Sequence, residues 1–307
     1  MRGNRETSGL RLMLMIANIF GLVAGIFGGI AYIYYGFIVF RNDPSQINPE
    51  IFNYMPMLMS IAGFFIITNI FFCSFIINFL KKADDITLLN NRYIIALFSI
   101  SIGGFFTPFV LAQMKNIPIQ STVSPKFTIS KGYGGNSLVS GVIALGSYFW
   151  FSTVVFKSSN TVFTAGLADQ IFVGIVSLII FWGALNCMLF ATPNAKAAWD
   201  KKAGAYKFMN FIAIINLIFA TFVLIMQLLS SILTIFSIIA DLFDRRRGFL
   251  GTILNTTFAT YRIAVQLFII YTLNKIIKGL WSKGDQIHYQ DYSKLAEKQR
   301  EYEMNNA

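Results

Sequence analysis

The chain has 307 residues, of which 55% are hydrophobic and only 13% are charged. An ordinary soluble domain is about one quarter charged, so this composition excludes a chain whose surface faces water throughout. We expect an all-α integral membrane protein, a polytopic transmembrane helix bundle with about 6–8 spans and no separate soluble domain.

The net charge of +11 does not indicate nucleic-acid binding, because the basic residues lie in short clusters between apolar runs. Basic residues that flank membrane spans set the topology of the chain and contact anionic headgroups. We therefore expect the lipid bilayer, and no nucleic acid, as the partner of these charges.

Seven apolar runs are long enough to be spans, because about 20 residues of helix cross the core of a bilayer. In chain order they are residues 12–40, 55–80, 93–114, 138–156, 171–191, 209–243 and 249–273. They predict a transmembrane bundle over residues 1–283, followed by a polar C-terminal tail over residues 284–307.

Three of the runs have individual features. The first is longer than the apolar core of a signal peptide and ends without a small-residue cleavage site, so we expect a retained span. The third contains Gly103, Gly104 and Pro108, which predict a kink. The sixth is too long for one perpendicular crossing, so it tilts, extends beyond the bilayer, or breaks near Ser230 and Ser231.

The number of crossings stays open between two arrangements. Seven simple crossings put the two ends of the bundle on opposite sides, and the loops 81–91 and 195–208 then lie on opposite sides as well. If one run is re-entrant, six crossings remain and both ends face the inside. The Lys and Arg content of the loops does not decide between them.

Two loops have recognisable patterns. In loop 115–136, residues 126–131 alternate like a short strand before a glycine-rich stretch. Loop 195–208 alternates small, basic and aromatic residues and predicts a helix lying in the membrane interface. Its interfacial anchors are Trp199, Lys201, Lys202 and Tyr206.

Gly21, Gly25 and Gly29 are spaced four residues apart and therefore share one face of the first span. Without side chains, this glycine stripe allows the close approach of another helix backbone. It predicts either helix packing within the bundle or an interface with another subunit.

Arg262 lies in the seventh run, with Asn255 before it and Gln266 one turn after it on the same face. An arginine near the bilayer centre is costly and marks a protein-lined or water-filled cavity, so these residues are candidates for contact with an anionic substrate. The alternative is that the span begins later, near residue 264, and Arg262 snorkels to the headgroups.

Catalytic, metal and cofactor chemistry find no support in the sequence. The chain has two cysteines, both inside apolar runs, and its single histidine, His288, lies in the tail. The middle of each apolar run lacks Asp and Glu, which disfavours proton coupling and a Mg²⁺ site. We expect no enzyme activity, no metal site and no cofactor.

The resulting expectation is a permease-like transport component, or a subunit of a membrane complex, in the cell membrane. Its expected partners, besides lipid, are other membrane subunits or a cytoplasmic ATPase that docks on a basic loop. The alternative is a non-transporting scaffold or assembly protein for other membrane or envelope proteins. The glycine stripe would then contact its partners.

Overall fold

The computed structural model describes residues 5–43, 51–83, 88, 91–99, 125–156, 166–190, 204–242 and 249–281, and these residues are almost entirely helical. The helices are α1 (Arg5–Ile33), α2 (Met55–Lys82), α3 (Arg92–Ser99), α4 (Pro125–Trp150), α5 (Leu167–Phe190), α6 (Gly204–Leu242) and α7 (Phe249–Trp281). Short extensions of other helical type are a π-helical stretch and a last turn after α1 (Tyr34–Val39 and Phe40–Asn42), a 3₁₀ turn before α2 (Phe52–Tyr54) and a π-helical stretch after α4 (Phe151–Val155).

Within the described residues, six helices are long and apolar enough to cross a bilayer, namely α1, α2, α4, α5, α6 and α7. Only 17–39% of each apolar window is buried in the bundle, so most of the apolar side chains face outward. That exposure suits lipid and is too extensive for the surface of a soluble monomer. The predicted all-helical fold is confirmed for these residues.

The predicted third span, residues 93–114, is described only over its first part. There the chain forms α3, a helix of 8 residues, all of them buried. Gly103, Gly104 and Pro108, on which the predicted kink depends, lie outside the described residues.

The prediction of a strand-like loop before the fourth span was wrong for residues 126–131, which form the first turns of α4. Pro125 is the first residue of this helix, a position that tolerates proline because its N–H would have no helical partner. The side chains of Phe127 and Phe190 meet with ring centroids 5.3 Å apart, so α4 is extended by packing against the end of α5. Tertiary contacts therefore overrode the local alternation.

The sixth run forms one continuous helix, α6, of 39 residues. Ser230 and Ser231 lie inside it, so the proposed break is wrong. Thr234 donates a side-chain hydrogen bond of 2.8 Å to the carbonyl of Ser230, as hydroxyl groups within intact helices do. At about 1.5 Å per residue the helix is roughly 58 Å long, so in a bilayer it tilts or extends beyond the hydrocarbon.

The long helices alternate in direction, so their ends gather at two opposite ends of the bundle. Arg11, near the start of α1, donates hydrogen bonds to the carbonyls of Leu80 and Ala83 at the end of α2. The start of α4 meets the end of α5 through Phe127 and Phe190. We call this end, where α1, α4 and α6 begin and α2, α5 and α7 finish, the basic end.

The opposite end is defined by a second set of contacts. Tyr148, late in α4, donates a 2.8 Å hydrogen bond to Asp169 at the start of α5. Phe52 and Phe156, before α2 and after α4, have ring centroids 4.6 Å apart. Because α2 ends and α4 begins at the basic end, the directions of the six long described helices are those that the six-crossing arrangement predicts.

Candidate functional site

The short helix α3 lies in the interior of the bundle, held between the long helices. Asn18 of α1 donates a 3.3 Å hydrogen bond to the hydroxyl of Ser99. The ring of Phe98 stacks on Phe72 of α2, with centroids 4.6 Å apart and an angle of 9° between the planes. Tyr133 of α4 packs edge-on against the same ring at 5.5 Å. Side chains of α1, α2 and α4 thus hold Phe98 and Ser99 of α3 in place.

Two glycines make room for this helix. A β-carbon built on Gly132 of α4 would lie 2.5 Å from the ring of Phe98. A β-carbon on Gly279 of α7 would overlap the ring of Tyr93. Any larger residue at either position would push α3 out of its place, so these glycines allow the bundle to enclose it.

Arg92 begins α3 and is only 2% exposed. Its guanidinium carbon lies 4.7 Å from the centroid of the Tyr93 ring, within the range of a cation–π interaction. Lys275 of α7 interacts electrostatically with Arg92, so two positive charges are near each other where α3 begins. Such a pair favours an anionic group between or beside the two side chains.

Sequence reasoning did not identify Arg92 as a site residue. In the sequence Arg92 stands at the edge of an apolar run, where basic residues usually face headgroups. Its burial depends on α7, which lies far along the chain, so no local pattern could have predicted it.

A second polar cluster joins α4, α5 and α6. Asn216 donates hydrogen bonds to the hydroxyl of Ser130 at 2.9 Å and to the amide oxygen of Asn186 at 2.6 Å. Its own amide oxygen accepts a 2.8 Å hydrogen bond from the indole N–H of Trp182. Asn216, Asn186 and Ser130 are at most 1% exposed. The cluster holds neutral groups that bond to one another, which suits helix association and not catalysis.

The glycine stripe faces α2 within the same chain. The carbonyl of Gly21 accepts a 2.8 Å hydrogen bond from the amide of Asn69, and a β-carbon on Gly25 would lie 2.8 Å from that amide nitrogen. A β-carbon on Gly29 would lie 3.8 Å from Ile66. In this geometry Gly25 and Gly29 lie against α2 of the same chain.

Arg262 lies in the half of α7 that is farther from the basic end. The indole N–H of Trp281 donates a 2.8 Å hydrogen bond to Thr221, which fixes the relative position of the two antiparallel helices. Arg262 is about five turns before Trp281, so it lies about five turns along α7 from the level of Thr221, towards the end where α6 finishes.

The side chain of Arg262 is exposed, and those of Asn255 and Gln266 are half-buried. The helix continues to Trp281, well beyond residue 273, where the predicted span ended. The assignment of these three residues to a substrate cavity stays a prediction.

The predicted interfacial anchors fall largely outside the structural description. Trp199, Lys201 and Lys202 are not among the described residues, and Tyr206 is described only as part of the first turns of α6. Residues 204–208 therefore continue into a long helix, and the remainder of the predicted interfacial helix is outside the described residues.

The described residues contain no group of three or more His, Cys, Asp or Glu side chains that could hold a metal ion. No protein-family model, curated protein or solved structure matches this chain. The class defined by the structure is an all-helical protein with six helices, among the described residues, that are suited to crossing a membrane.

Proposed function

We propose that the chain crosses a membrane six times and acts as a transport component, either a permease-like protein or a subunit of a membrane transport complex. The observation that carries this proposal is Arg92 at the start of α3, an arginine that is only 2% exposed and lies among the long apolar helices.

Ionisable residues inside a membrane bundle are costly, face protein or a water-filled cavity, and usually mark a pathway. Lys275 of α7 adds a second positive charge near Arg92, a combination that suits an anionic solute.

A cytoplasmic ATPase remains a proposed partner. The arrangement of the helices places two loops, 81–91 and 195–208, where such a partner could bind. The end of α2, before loop 81–91, and the end of α5, before loop 195–208, both lie at the basic end. Simple alternation of seven spans had put the two loops on opposite sides. In the six-crossing arrangement both can contact one ATPase.

The scaffold alternative has less support from the geometry. It relied on the glycine stripe as a contact surface for other membrane proteins, but Gly25 and Gly29 face Ile66 and Ile70 of α2. We therefore retain transport as the proposed function.

The experiment compares buried alanines of α3 with equally buried alanines elsewhere. In a background with Cys73→Ser and Cys187→Ser, cysteine is introduced singly by Ala96→Cys in α3 and by Ala213→Cys or Ala220→Cys in α6. All three alanines are at most 1% exposed. A small water-soluble methanethiosulfonate is then applied to the protein in sealed vesicles.

If α3 lines a pathway, we expect the cysteine at position 96 to react and those at positions 213 and 220 to stay unreacted. A closed, non-transporting bundle predicts that none of the three reacts. Equal reaction at all three would show general loosening of the bundle and would also contradict the proposal.

A further inference from the structure

Charged residues are distributed very unequally between the two ends of the bundle. Among the residues whose side chains the structure describes, nine arginines and lysines lie at or near the basic end, and aspartate and glutamate are absent there. The nine are Arg11, Lys81, Lys82, Arg92, Lys126, Lys131, Lys207, Lys275 and Lys278. The other half carries Arg41, Asp43, Asp169, Asp241 and Arg262.

This asymmetry could not be seen in the sequence, because it depends on which loops meet at which end. With seven simple crossings, the clusters around Lys81 and around Lys207 fall on opposite sides and largely cancel. The six-crossing arrangement brings both clusters to the same end. Positive charge is then concentrated at that end, and the distribution of Lys and Arg favours one orientation in the membrane.

The exposed lysines of the basic end are spread around the bundle. Lys81 and Lys82 belong to α2, Lys131 to α4, Lys207 to α6 and Lys278 to α7, and each is exposed. Trp281 is 45% exposed close to Lys278 in sequence, and its N–H is bonded to Thr221. Exposed lysine and tryptophan side chains near the ends of membrane helices are typical of the boundary between hydrocarbon and headgroups.

We infer that the basic end lies on the cytosolic side of the membrane, where its peripheral lysines bind the phosphate groups of anionic phospholipids. Lipid is the occupant that we infer, because these lysines are exposed and come from four different helices, so the headgroups that surround the bundle can reach each of them. The cytosolic leaflet is also the one that carries anionic lipid. This inference does not depend on the transport proposal.

The first arm of the test measures sidedness. In the background with Cys73→Ser and Cys187→Ser, Lys82→Cys and Lys207→Cys report on the basic end, and Asn42→Cys and Asp241→Cys report on the opposite end. All four positions are exposed. Right-side-out and inside-out vesicles from a bacterial host are treated with a membrane-impermeant maleimide.

We expect labelling at positions 42 and 241 in right-side-out vesicles, and at positions 82 and 207 only in inside-out vesicles. The reverse pattern would overturn the inference. Labelling of both ends in the same sealed vesicles would show mixed orientation and would overturn it as well.

The second arm measures lipid binding on purified protein reconstituted in vesicles of phosphatidylcholine with phosphatidylglycerol. Retained phosphatidylglycerol is counted by native mass spectrometry for the double variant Lys81→Gln with Lys82→Gln. The matched control is Arg41→Gln with Arg262→Gln, which removes the same charge from the other half. Each interfacial lysine contributes on the order of a fivefold preference for anionic lipid.

We expect the lysine double variant to lose most of this preference and the arginine double variant to keep it. Equal loss in the two variants, or no loss in either, would overturn the lipid part of the inference. Because both pairs are exposed at helix surfaces, neither variant removes a buried contact that folding requires.

Discussion

Asn216 connects three helices through one side chain, and its removal should weaken the bundle measurably. Asn216→Leu keeps a similar volume but leaves the indole N–H of Trp182 and the amide oxygen of Asn186 without this partner. Hydrogen bonds between membrane helices contribute about 0.6 kcal/mol each on average, so we expect a loss of about 2 kcal/mol for three. The free energy of unfolding in mixed detergent micelles measures it.

Gln227→Leu is the control for this prediction. Gln227 lies on the same helix as Asn216 but is exposed, so its replacement should change the free energy of unfolding by less than about 0.5 kcal/mol. An equal effect of both variants would mean that the cluster does not hold the helices together.

Gly183 lies where the backbones of α4 and α5 approach each other closely. A β-carbon there would overlap the main-chain nitrogen of Leu138 and lie 2.9 Å from its α-carbon. Backbone atoms cannot rotate away as a side chain does, so Gly183→Ala should force the two helices apart. We expect a loss of about 1–3 kcal/mol in the free energy of unfolding, measured by detergent denaturation.

Gly174 on the same helix is the matched control for Gly183. A β-carbon on Gly174 would have no atom within 4 Å, so Gly174→Ala should be neutral or stabilise the protein by up to about 1 kcal/mol. If Gly183→Ala were equally harmless, the close packing of α4 on α5 would be contradicted.

The two arginines show what a single residue's sequence context can and cannot predict. Arg262 stands inside an apolar run and appears costly, yet the pairing of α6 with α7 places it towards the end where α6 finishes. Arg92 stands at the edge of a run and appears ordinary, yet it is 2% exposed. In both cases the environment of the arginine depends on another helix. A local sequence pattern does not show which helix will pack there.

Most helices were predictable from the apolar runs alone. The second run, residues 55–80, corresponds to α2 at Met55–Lys82, because twenty or more apolar residues have no better way to satisfy their backbone than a helix. The start of α4 was missed, because residues 126–131 alternate with a period of two. The contact of Phe127 with Phe190, between helices, made that segment helical.

The short helix α3 depends on Phe98 for its position. This side chain is 2% exposed and lies against Phe72, Phe75 and Tyr133. Phe98→Ala should leave a cavity at the meeting point of these rings and cost about 3 kcal/mol in the free energy of unfolding. Detergent denaturation followed by tryptophan fluorescence measures the change.

Phe65→Ala provides the comparison, since Phe65 is 60% exposed on α2 and its loss leaves no internal cavity. We expect a change of less than about 0.5 kcal/mol for this variant. Were Phe98→Ala to behave like Phe65→Ala, α3 would not be packed in the interior as described.

At the scale of the whole molecule, the course of the chain predicts that both termini lie on one side of the membrane. The start of α1 contacts the end of α2 at the basic end, and the end of α7 packs against Tyr93 near the start of α3, which follows α2 in the chain. A reporter that is active only in the cytosol, fused before residue 1 or after residue 307, should therefore be active at both positions. Activity at only one terminus would mean an odd number of crossings and would contradict the six-crossing arrangement.

The place of α3 between early and late helices has a consequence for biosynthesis. Tyr93 packs against Gly279, so the enclosure of α3 is incomplete until α7 has left the ribosome. At about 5–20 residues per second, Arg92 waits roughly 10–40 s for the helix that covers it. During that time the nascent protein must keep this charged segment at the bilayer surface or under the protection of the insertion machinery. Premature termination before α7 would leave it there, exposed to quality-control proteases.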